Sequence, residues 1–200
     1  TDLVVATIFV NPTQFGPNED FDRYPRDEAG DRAKCAEAGV DLLWVPPTAD
    51  VYADDHGTTV SIAGITEGLC GAARPGHFDG VATIVAKLFN LVLPDVAVFG
   101  AKDWQQAAVV RRMTCDLSFP IKVVVAPTRR EQDGLAMSSR NKYLSAGERA
   151  QATILWRALK LAKEVVISSR TSNSSDVLKK ELAALIATQP AARLDYLEFF

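Results

Sequence analysis

Residues 80–106 read GVATIVAKLFNLVLPDVAVFGAKDWQQ, and the spacing of their apolar residues changes within this stretch. Before Pro94 they recur three and four positions apart, as on one face of an amphipathic helix, at Val81, Ile84, Val85, Leu88, Phe89 and Val92. Residues 96–99 then form a short apolar run that predicts a strand, and residues 104–117 predict a second helix. A helix, a strand and a helix in succession are typical of an α/β domain with a parallel sheet.

The same alternation extends in both directions along the chain. Apolar runs predict strands at 3–10, 41–45 and 121–126, the first of which is rich in β-branched residues, and residues 58–62 predict a minor strand. A mixed-charge stretch at 26–38 predicts the helix between the first two strands. Because ligands of parallel sheets bind at the carboxyl ends of the strands, the polar residues that follow each strand are the candidates for function.

The character of the chain changes after about residue 133. Residues 146–168 predict one long helix, and residues 177–188 predict a second helix after a polar connector at 168–176. The β-prone residues 194–200 end the sequence. We interpret this part as a small α+β C-terminal domain that is cut short.

The composition excludes several classes of protein. The 200 residues carry 22 lysines and arginines against 25 acids, so no broad basic field is available for nucleic acid or an anionic membrane. Hydrophobic residues at 48% and charged residues at 24% exclude a disordered or collagen-like chain. Three widely spaced cysteines without a CxxC motif indicate reduced thiols, and no apolar run is long enough to span a bilayer. We therefore expect a cytoplasmic protein with no nucleic-acid or membrane partner.

Two amides follow the first predicted strand, in Asn11-Pro12-Thr13-Gln14. Side-chain amides at the carboxyl end of a strand can both donate to and accept from the hydroxyls and carboxylates of a small polar substrate. The alternative is a plain turn in which Asn11 caps the chain and Gln14 is solvated.

Two loops before residue 105 combine cations with glycine. Arg74 and His77 lie in a Gly/Pro-rich loop suited to clamping an anion, although the arginine could instead pair with a surface acid. Lys102 lies where the strand at 96–99 gives way to a helix, a position that favours phosphate. The neighbouring Asp103 could equally be an N-cap.

A third polar cluster, Met137-Ser138-Ser139-Arg140-Asn141, places two hydroxyls, an arginine and an amide in one turn. Such a cluster can satisfy several phosphate oxygens at once through charge-assisted hydrogen bonds. A solvated loop is the alternative.

Five segments taken together resemble one enzyme family. They are IFVNPTQF at 8–15, the Tyr24-Pro25-Arg26 step, RPGHFDGVATIVAKLFNLVLPD at 74–95, FGAKDWQQ at 99–106 and DGLAMSSRNKYL at 133–144. In this order and at these intervals they resemble the pantoate–β-alanine ligases, from residue 3 to 144 and more weakly to 198. The resemblance implies a Rossmann-like nucleotidyltransferase domain that binds ATP and pantoate at 1–128, and a C-terminal lid domain at 129–200.

The resemblance also implies the reaction. Pantoate attacks the α-phosphate of ATP to give pantoyl adenylate and pyrophosphate, and β-alanine then displaces AMP to form pantothenate, a step toward coenzyme A. It implies that Gln14 and Gln106 hold pantoate, that Gln14 also serves β-alanine, and that Asn11 is a weaker candidate beside them.

For ATP the resemblance implies two groups of residues and a metal. The ATP-binding residues are Gly100, Ala101, Lys102, Asp103, Arg129, Met137, Ser138, Ser139 and Arg140. Among these, Lys102, Ser138, Ser139 and Arg140 form the catalytic set. Arg74 and His77 fall on a flexible loop that closes over the site. Mg²⁺ bound to ATP is implied, with Asp31 as a candidate direct ligand.

Finally, the resemblance implies a homodimer, a first strand with a two-histidine signature before residue 1, and closing strands after residue 200. Because the first strand lies in the middle of such a sheet, we expect a missing central strand, a substitute strand from a partner chain, or a rearranged sheet.

Two alternative functions stay open. One is another adenylate-forming enzyme of the same superfamily, against which the Gln14 and Gln106 pair argues. The other is a non-catalytic fragment that only folds or dimerises.

Overall fold

Four short strands form two parallel ladders in the computed structural model. Strand β1 (Val5–Thr7) pairs with β2 (Leu42–Trp44), and β3 (Val96–Gly100) pairs with β4 (Lys122–Ala126). Within residues 2–168 and 174–199, which the structure describes, no ladder joins one pair to the other. The predicted α/β class with parallel strands is confirmed, and the sheet is interrupted as expected.

The chain separates into two compact units, Thr1–Ala126 and Pro127–Phe200. The first unit holds both ladders and the helices α1 (Glu28–Glu37), α2 (Thr48–Val51), α3 (Leu69–Ala73), α4 (His77–Val92) and α5 (Trp104–Asp116). The second holds the helices α6 (Ala146–Gln151), α7 (Ile154–Ser168) and α8 (Ser175–Ala187). Short 3₁₀ turns cover Pro12–Gln14, Ala101–Asp103 and Ser139–Tyr143.

Helix α4 is the centre of the first unit's core. Its apolar residues are buried along most of its length, as the spacing predicted, and α5 packs against it through Val109, Val110 and Met113. The Phe89 ring meets the rings of Phe99 and Phe119 edge-on at centroid distances of 6.5 and 5.4 Å. These aromatic contacts join the helix to β3 and to the segment before β4, so the helix places the strand ends that carry the polar loops.

The first turn of α4 lies directly against the Pro12–Gln14 turn. A Cβ atom on Gly80 would lie 2.5 Å from the carbonyl oxygen of Thr13 and 2.6 Å from the amide nitrogen of Gln14. Both neighbours are backbone atoms, so no side chain can rotate away to make room. This close approach requires glycine at position 80.

The second unit has its own small core and a hairpin. Ile154 and Ala158 of α7 are buried against α8, where Leu178, Leu182 and Ile186 are buried. An antiparallel bridge between Arg130 and Ala136 closes the hairpin that precedes the Ser139–Tyr143 turn. Helix α6 starts with a capping box, in which the Ser145 hydroxyl accepts from the Glu148 amide and the Glu148 carboxylate accepts from the Ser145 amide.

Two of the predicted strands are wrong. Residues 58–62 form no strand, because the Val60 amide donates to the Thr83 hydroxyl at 2.9 Å and the segment packs on α4 as an irregular chain. Residues 194–199 also form none, although Leu197 packs on the second core. Residue 200 lies outside the described residues.

The predicted single helix at 146–168 is also wrong, because it is two helices. Helix α6 ends at Gln151, and α7 begins at Ile154. The Thr153 hydroxyl donates to the carbonyl of Ala150 at 3.1 Å, and such local bonds compete with the regular helical pattern. The polar connector predicted at 168–176 lies largely outside the described residues.

None of the helices in the described part of the chain is both long enough and apolar enough to cross a bilayer. The longest, α4, has 16 residues, whereas a membrane-spanning helix needs about 20.

The contact at Gly80 predicts a large effect of one added methyl group. Gly80→Ala should lower the free energy of unfolding by about 1–3 kcal/mol, because the backbone must shift to relieve the overlap. Urea unfolding measures this, with Gly147→Ala as the matched control, since a Cβ there meets nothing within 4 Å. Equal stability of the two variants would contradict the packing described.

Candidate active site

A buried amide cluster follows β1 at its carboxyl end. Asn11 is 3% exposed, and its Nδ2 donates to the carbonyl of Gly80 at 3.1 Å and to Gln14 Oε1 at 3.2 Å. Its Oδ1 accepts from the hydroxyls of Tyr52 at 2.9 Å and Thr13 at 3.0 Å. Every hydrogen-bonding position of Asn11 is therefore used within the protein. The side chain holds its neighbours in place and has nothing left for a ligand.

Gln14 lies at the edge of a cavity. The cavity has a volume of about 570 Å³ and is lined by residues 13–19 and 73–77. Asn11 occupies the Oε1 atom of Gln14, so the Nε2 group is the end that remains for another partner. The sequence-predicted residues Gln14, Arg74 and His77 are thus brought together at one cavity.

Another wall of this cavity is formed by an ion pair between Arg74 and Glu19, with His77 beside it. The Arg74 guanidinium makes a two-pronged contact with Glu19, with Nε on Oε1 at 2.7 Å and Nη2 on Oε2. Its Nη1 lies 3.1 Å from His77 Nε2, and His77 Nδ1 lies 2.9 Å from the carbonyl oxygen of Gln14. Since a carbonyl only accepts, Nδ1 carries the proton and Nε2 accepts from Arg74. Arg74 thus pairs with an acid in this structure, and its role on a loop that closes over the site stays a prediction.

Two groups in this wall, Glu19 and His77, have pKa values below their ordinary ones. The hydrogen bond from Arg74 holds the pKa of Glu19 below its ordinary value. Burial lowers the pKa of His77, and the Arg74 charge acts in the same sense. At neutral pH the wall therefore holds a paired arginine and a neutral imidazole.

Lys102 lies beyond the carboxyl end of β3, in the turn Ala101–Asp103 that leads into α5. Its ammonium group is 3.2 Å from the Asp103 carboxylate, and both side chains are about half exposed. Asp103 precedes α5 but makes no side-chain cap hydrogen bond, so the first-turn amides of α5 have no cap from it. An exposed pair of this kind is weak, and the lysine can exchange its partner for a phosphate.

The two neighbouring glutamines of α5, Gln105 and Gln106, differ in burial. Gln105 is buried, accepts from the Cys70 amide at 2.9 Å and donates to the carbonyls of Ile65 and Gly68 at 2.9 and 2.8 Å. Gln106 is half-buried and follows it directly. Sequence reasoning missed Gln105, which holds the segment before α3, and the only signal was its place beside Gln106.

The serine-arginine cluster lies in the second unit, after the hairpin. The Ser138 hydroxyl accepts from the Arg140 amide at 3.2 Å and starts the Ser139–Tyr143 turn. The Met137 amide donates to the carbonyl of Arg129 at 2.9 Å, so these two predicted ATP residues face each other across the hairpin. The predicted ATP-binding residues therefore fall in both units.

The base of that hairpin is held by an aromatic side chain. The Arg130 guanidinium lies 3.9 Å from the Trp156 ring centroid, and its Nη1 donates to the Gly134 carbonyl at 3.1 Å. Gly134 has φ +96°, and a Cβ there would overlap the Trp156 ring. Trp156 thus packs against the hairpin that precedes Ser138 and Arg140.

The described residues hold no cluster of side chains that would form a resident magnesium site, and Asp31 as a direct ligand stays a prediction. Asp31 lies on α1 and pairs with Lys34 at 3.0 Å. Among the described residues, no group of three or more histidine, cysteine or carboxylate side chains is placed to hold a metal ion. A magnesium ion carried by a nucleotide, whose phosphate oxygens supply most of its ligands, needs no such group.

A family model described as pantoate-beta-alanine ligase matches residues 1–200. The chain is 51% identical to the pantothenate synthetase of Caldicellulosiruptor bescii over 198 residues, which are 99% of this chain and 70% of that protein. The chain belongs to the pantoate–β-alanine ligase family. It is 54% identical to the pantothenate synthetase of Sphingopyxis alaskensis over 185 residues, 92% of this chain and 66% of that one.

Solved structures of the family agree with the fold. A crystal structure of the Thermus thermophilus enzyme superposes with a TM-score of 0.92 at 50% identity, covering 97% of this chain and 70% of that one. The Francisella tularensis ligase, solved with "Beta-gamma ATP" and β-alanine, gives 0.76 at 33% identity, covering 92% and 68%. The resemblance inferred from five sequence segments and the predicted enzyme class are confirmed.

Within this family member, the titratable groups of the cavity wall predict how stability depends on pH. Both Glu19 and His77 have folded-state pKa values below their ordinary ones, so the unfolded chain binds protons first as the pH falls. The melting temperature should therefore fall as the pH drops below about 6.5, the ordinary histidine value, and again below the ordinary glutamate value of about 4.3. Above these pH values each group makes its full contribution to the stability of the folded protein.

Calorimetric melting between pH 8 and pH 5 checks this. His77→Gln should flatten the decline in melting temperature in that range, and His56→Gln, on an exposed loop, is the matched control. An unchanged slope in His77→Gln would show that the imidazole is not held neutral.

Proposed function

We propose that this protein condenses pantoate with β-alanine at the expense of ATP, through a pantoyl-adenylate intermediate. The observation that carries the proposal is the cavity after β1, where Gln14 offers an oriented amide donor, in a chain of the pantoate–β-alanine ligase family. The Francisella relative was solved with a nucleotide and β-alanine, which supports the same ligands here.

In the first step a pantoate carboxylate oxygen bonds to the α-phosphorus of ATP, and the bond to pyrophosphate breaks. We assign pantoate to Gln14 and Gln106, because amide donors match the acceptor oxygens of a hydroxy acid. Asn11 serves this site through Gln14, since its own hydrogen bonds are all made within the protein.

Negative charge builds on the phosphate oxygens in this step, and hydrogen-bond donors fixed near those oxygens lower the energy of the transition state. We assign this role to Lys102 after β3, and to Ser138, Ser139 and Arg140 after the hairpin. Gly100, Ala101, Asp103, Arg129 and Met137 complete the ATP site, and Mg²⁺ enters with ATP as part of the substrate.

In the second step the amine of β-alanine bonds to the acyl carbon of the adenylate. AMP leaves with the electrons of the broken acyl–oxygen bond, and the amine nitrogen gives up its proton. We assign β-alanine to Gln14 as well, because its amide can bond to the carboxylate of β-alanine while the pantoyl adenylate is still bound. The homodimer predicted from the resemblance is part of this proposal, and sedimentation of the full-length protein measures it.

ATP–pyrophosphate exchange by the full-length protein tests the function. We expect exchange only when pantoate is present, and pantothenate to form only when β-alanine is then added. Exchange supported by an unrelated carboxylic acid would favour another adenylate-forming enzyme. No exchange with any acid would favour a non-catalytic role.

Separate variants test the two halves of the site. Lys102→Ala should lower the exchange rate by about 10²–10³, because one fixed donor to the phosphates is lost. Lys163→Ala, which removes an exposed lysine of α7, is the matched control for the loss of charge.

Gln106→Ala should weaken pantoate binding by roughly 1–3 kcal/mol and leave ATP binding nearly unchanged, as calorimetric titration of each ligand measures. A Gln106 variant that loses ATP and pantoate equally would show the residue to be misplaced.

A further inference from the structure

The orientation of the Asn11 amide is determined by the backbone of α4. The Gly80 carbonyl can only accept, so the atom of Asn11 that faces it at 3.1 Å must be the amino group Nδ2. The oxygen Oδ1 then faces the other way, toward the hydroxyls of Tyr52 and Thr13. A reversed amide would place an oxygen against the carbonyl and leave buried groups unpaired.

The orientation of Gln14 follows from that of Asn11. The second hydrogen of Asn11 Nδ2 points to Gln14 at 3.2 Å, and the atom that receives it must be the oxygen Oε1. Gln14 also lines the cavity, and its amino group Nε2 lies on the side of the amide away from Oε1, which Asn11 holds. Gln14 thus meets a ligand as a donor, which selects an acceptor such as a carboxylate or carbonyl oxygen.

Tyr52 holds the oxygen end of the Asn11 amide. Its hydroxyl donates to Asn11 Oδ1 at 2.9 Å and lies 3.3 Å from the Thr13 hydroxyl. The ring is set by its neighbours, with Phe9 at a centroid distance of 6.3 Å and His56 at 4.9 Å. Burial raises the pKa of the Tyr52 hydroxyl, so it remains a donor throughout the neutral range.

We propose that Tyr52 is a positioning residue for pantoate, which acts through Asn11 to hold Gln14 with its amino group toward the substrate. The inference rests on the proposed function, because it concerns the same pantoate site. Tyr52 is 38 residues from Gln14 in the sequence and needs no contact with the ligand. The substrate group that it selects at Gln14 is a hydrogen-bond acceptor.

A double-mutant cycle on the full-length protein tests this, with pantoate and ATP titrated separately by calorimetry. Tyr52→Phe should weaken pantoate binding about two- to tenfold, the effect of one neutral hydrogen bond, and leave ATP binding unchanged. In a Gln14→Ala background the same change should have no further effect, since its route to the substrate is gone. Tyr196→Phe in the second unit is the matched loss of a hydroxyl.

Thr13→Val removes the other hydroxyl on Asn11 Oδ1 and gives an independent measurement, which should also weaken pantoate selectively. Tyr52→Phe binding pantoate as the wild type does, or losing the same factor with and without Gln14, would overturn the inference alone. A wild-type protein that binds no pantoate would overturn the proposed function and the inference with it. A Tyr52 variant that weakens ATP equally would show a general structural role instead.

Discussion

The first unit depends on one backbone contact, between the start of α4 and the turn that follows β1. Gly80 brings the two backbones so close that a methyl group would overlap Thr13 and Gln14. Its carbonyl then accepts from Asn11, which is buried with all of its hydrogen bonds made. Because an unpaired amide at that depth would be costly, the contact determines both the packing of the helix and the direction in which Gln14 points. Packing and recognition share the same few atoms.

Two basic residues of the first unit, Arg74 and Lys102, differ in their surroundings. Arg74 is bound by Glu19 on two sides and by His77 on a third, so its charge is neutralised where it stands. Lys102 has one exposed partner at 3.2 Å, a weak contact that a phosphate can replace. The sequence shows both as basic residues in glycine-containing loops. The partner of Arg74, Glu19, is 55 residues away in the sequence, whereas the partner of Lys102 is the adjacent Asp103. The fold, which buries the first pair more than the second, distinguishes the two residues.

The sequence predicted most where the local pattern was strong. The spacing of apolar residues predicted α4 and α5, because a helix with one buried face imposes that spacing, and short apolar runs predicted β1, β2, β3 and β4. It failed at 58–62, where the Thr83 hydroxyl takes the Val60 amide that a ladder would use, and at 146–168, where Thr153 interrupts the helix. A single side-chain hydrogen bond decides each case, and the pattern of apolar residues carries no trace of it.

By itself the sequence determined the α/β class and the family, since local periodicity and ordered motifs are properties of the chain, and it supplied the candidates for the site. It left Asn11 as a candidate ligand residue and passed over Gln105 and Tyr52. The tertiary structure decided these, because the role of an amide depends on which partners saturate it. Those partners, Gly80 and Tyr52 for Asn11 and Ile65, Gly68 and Cys70 for Gln105, are 35 to 69 residues away in sequence. Folding brings them within 3.1 Å, and no pattern along the chain records that distance.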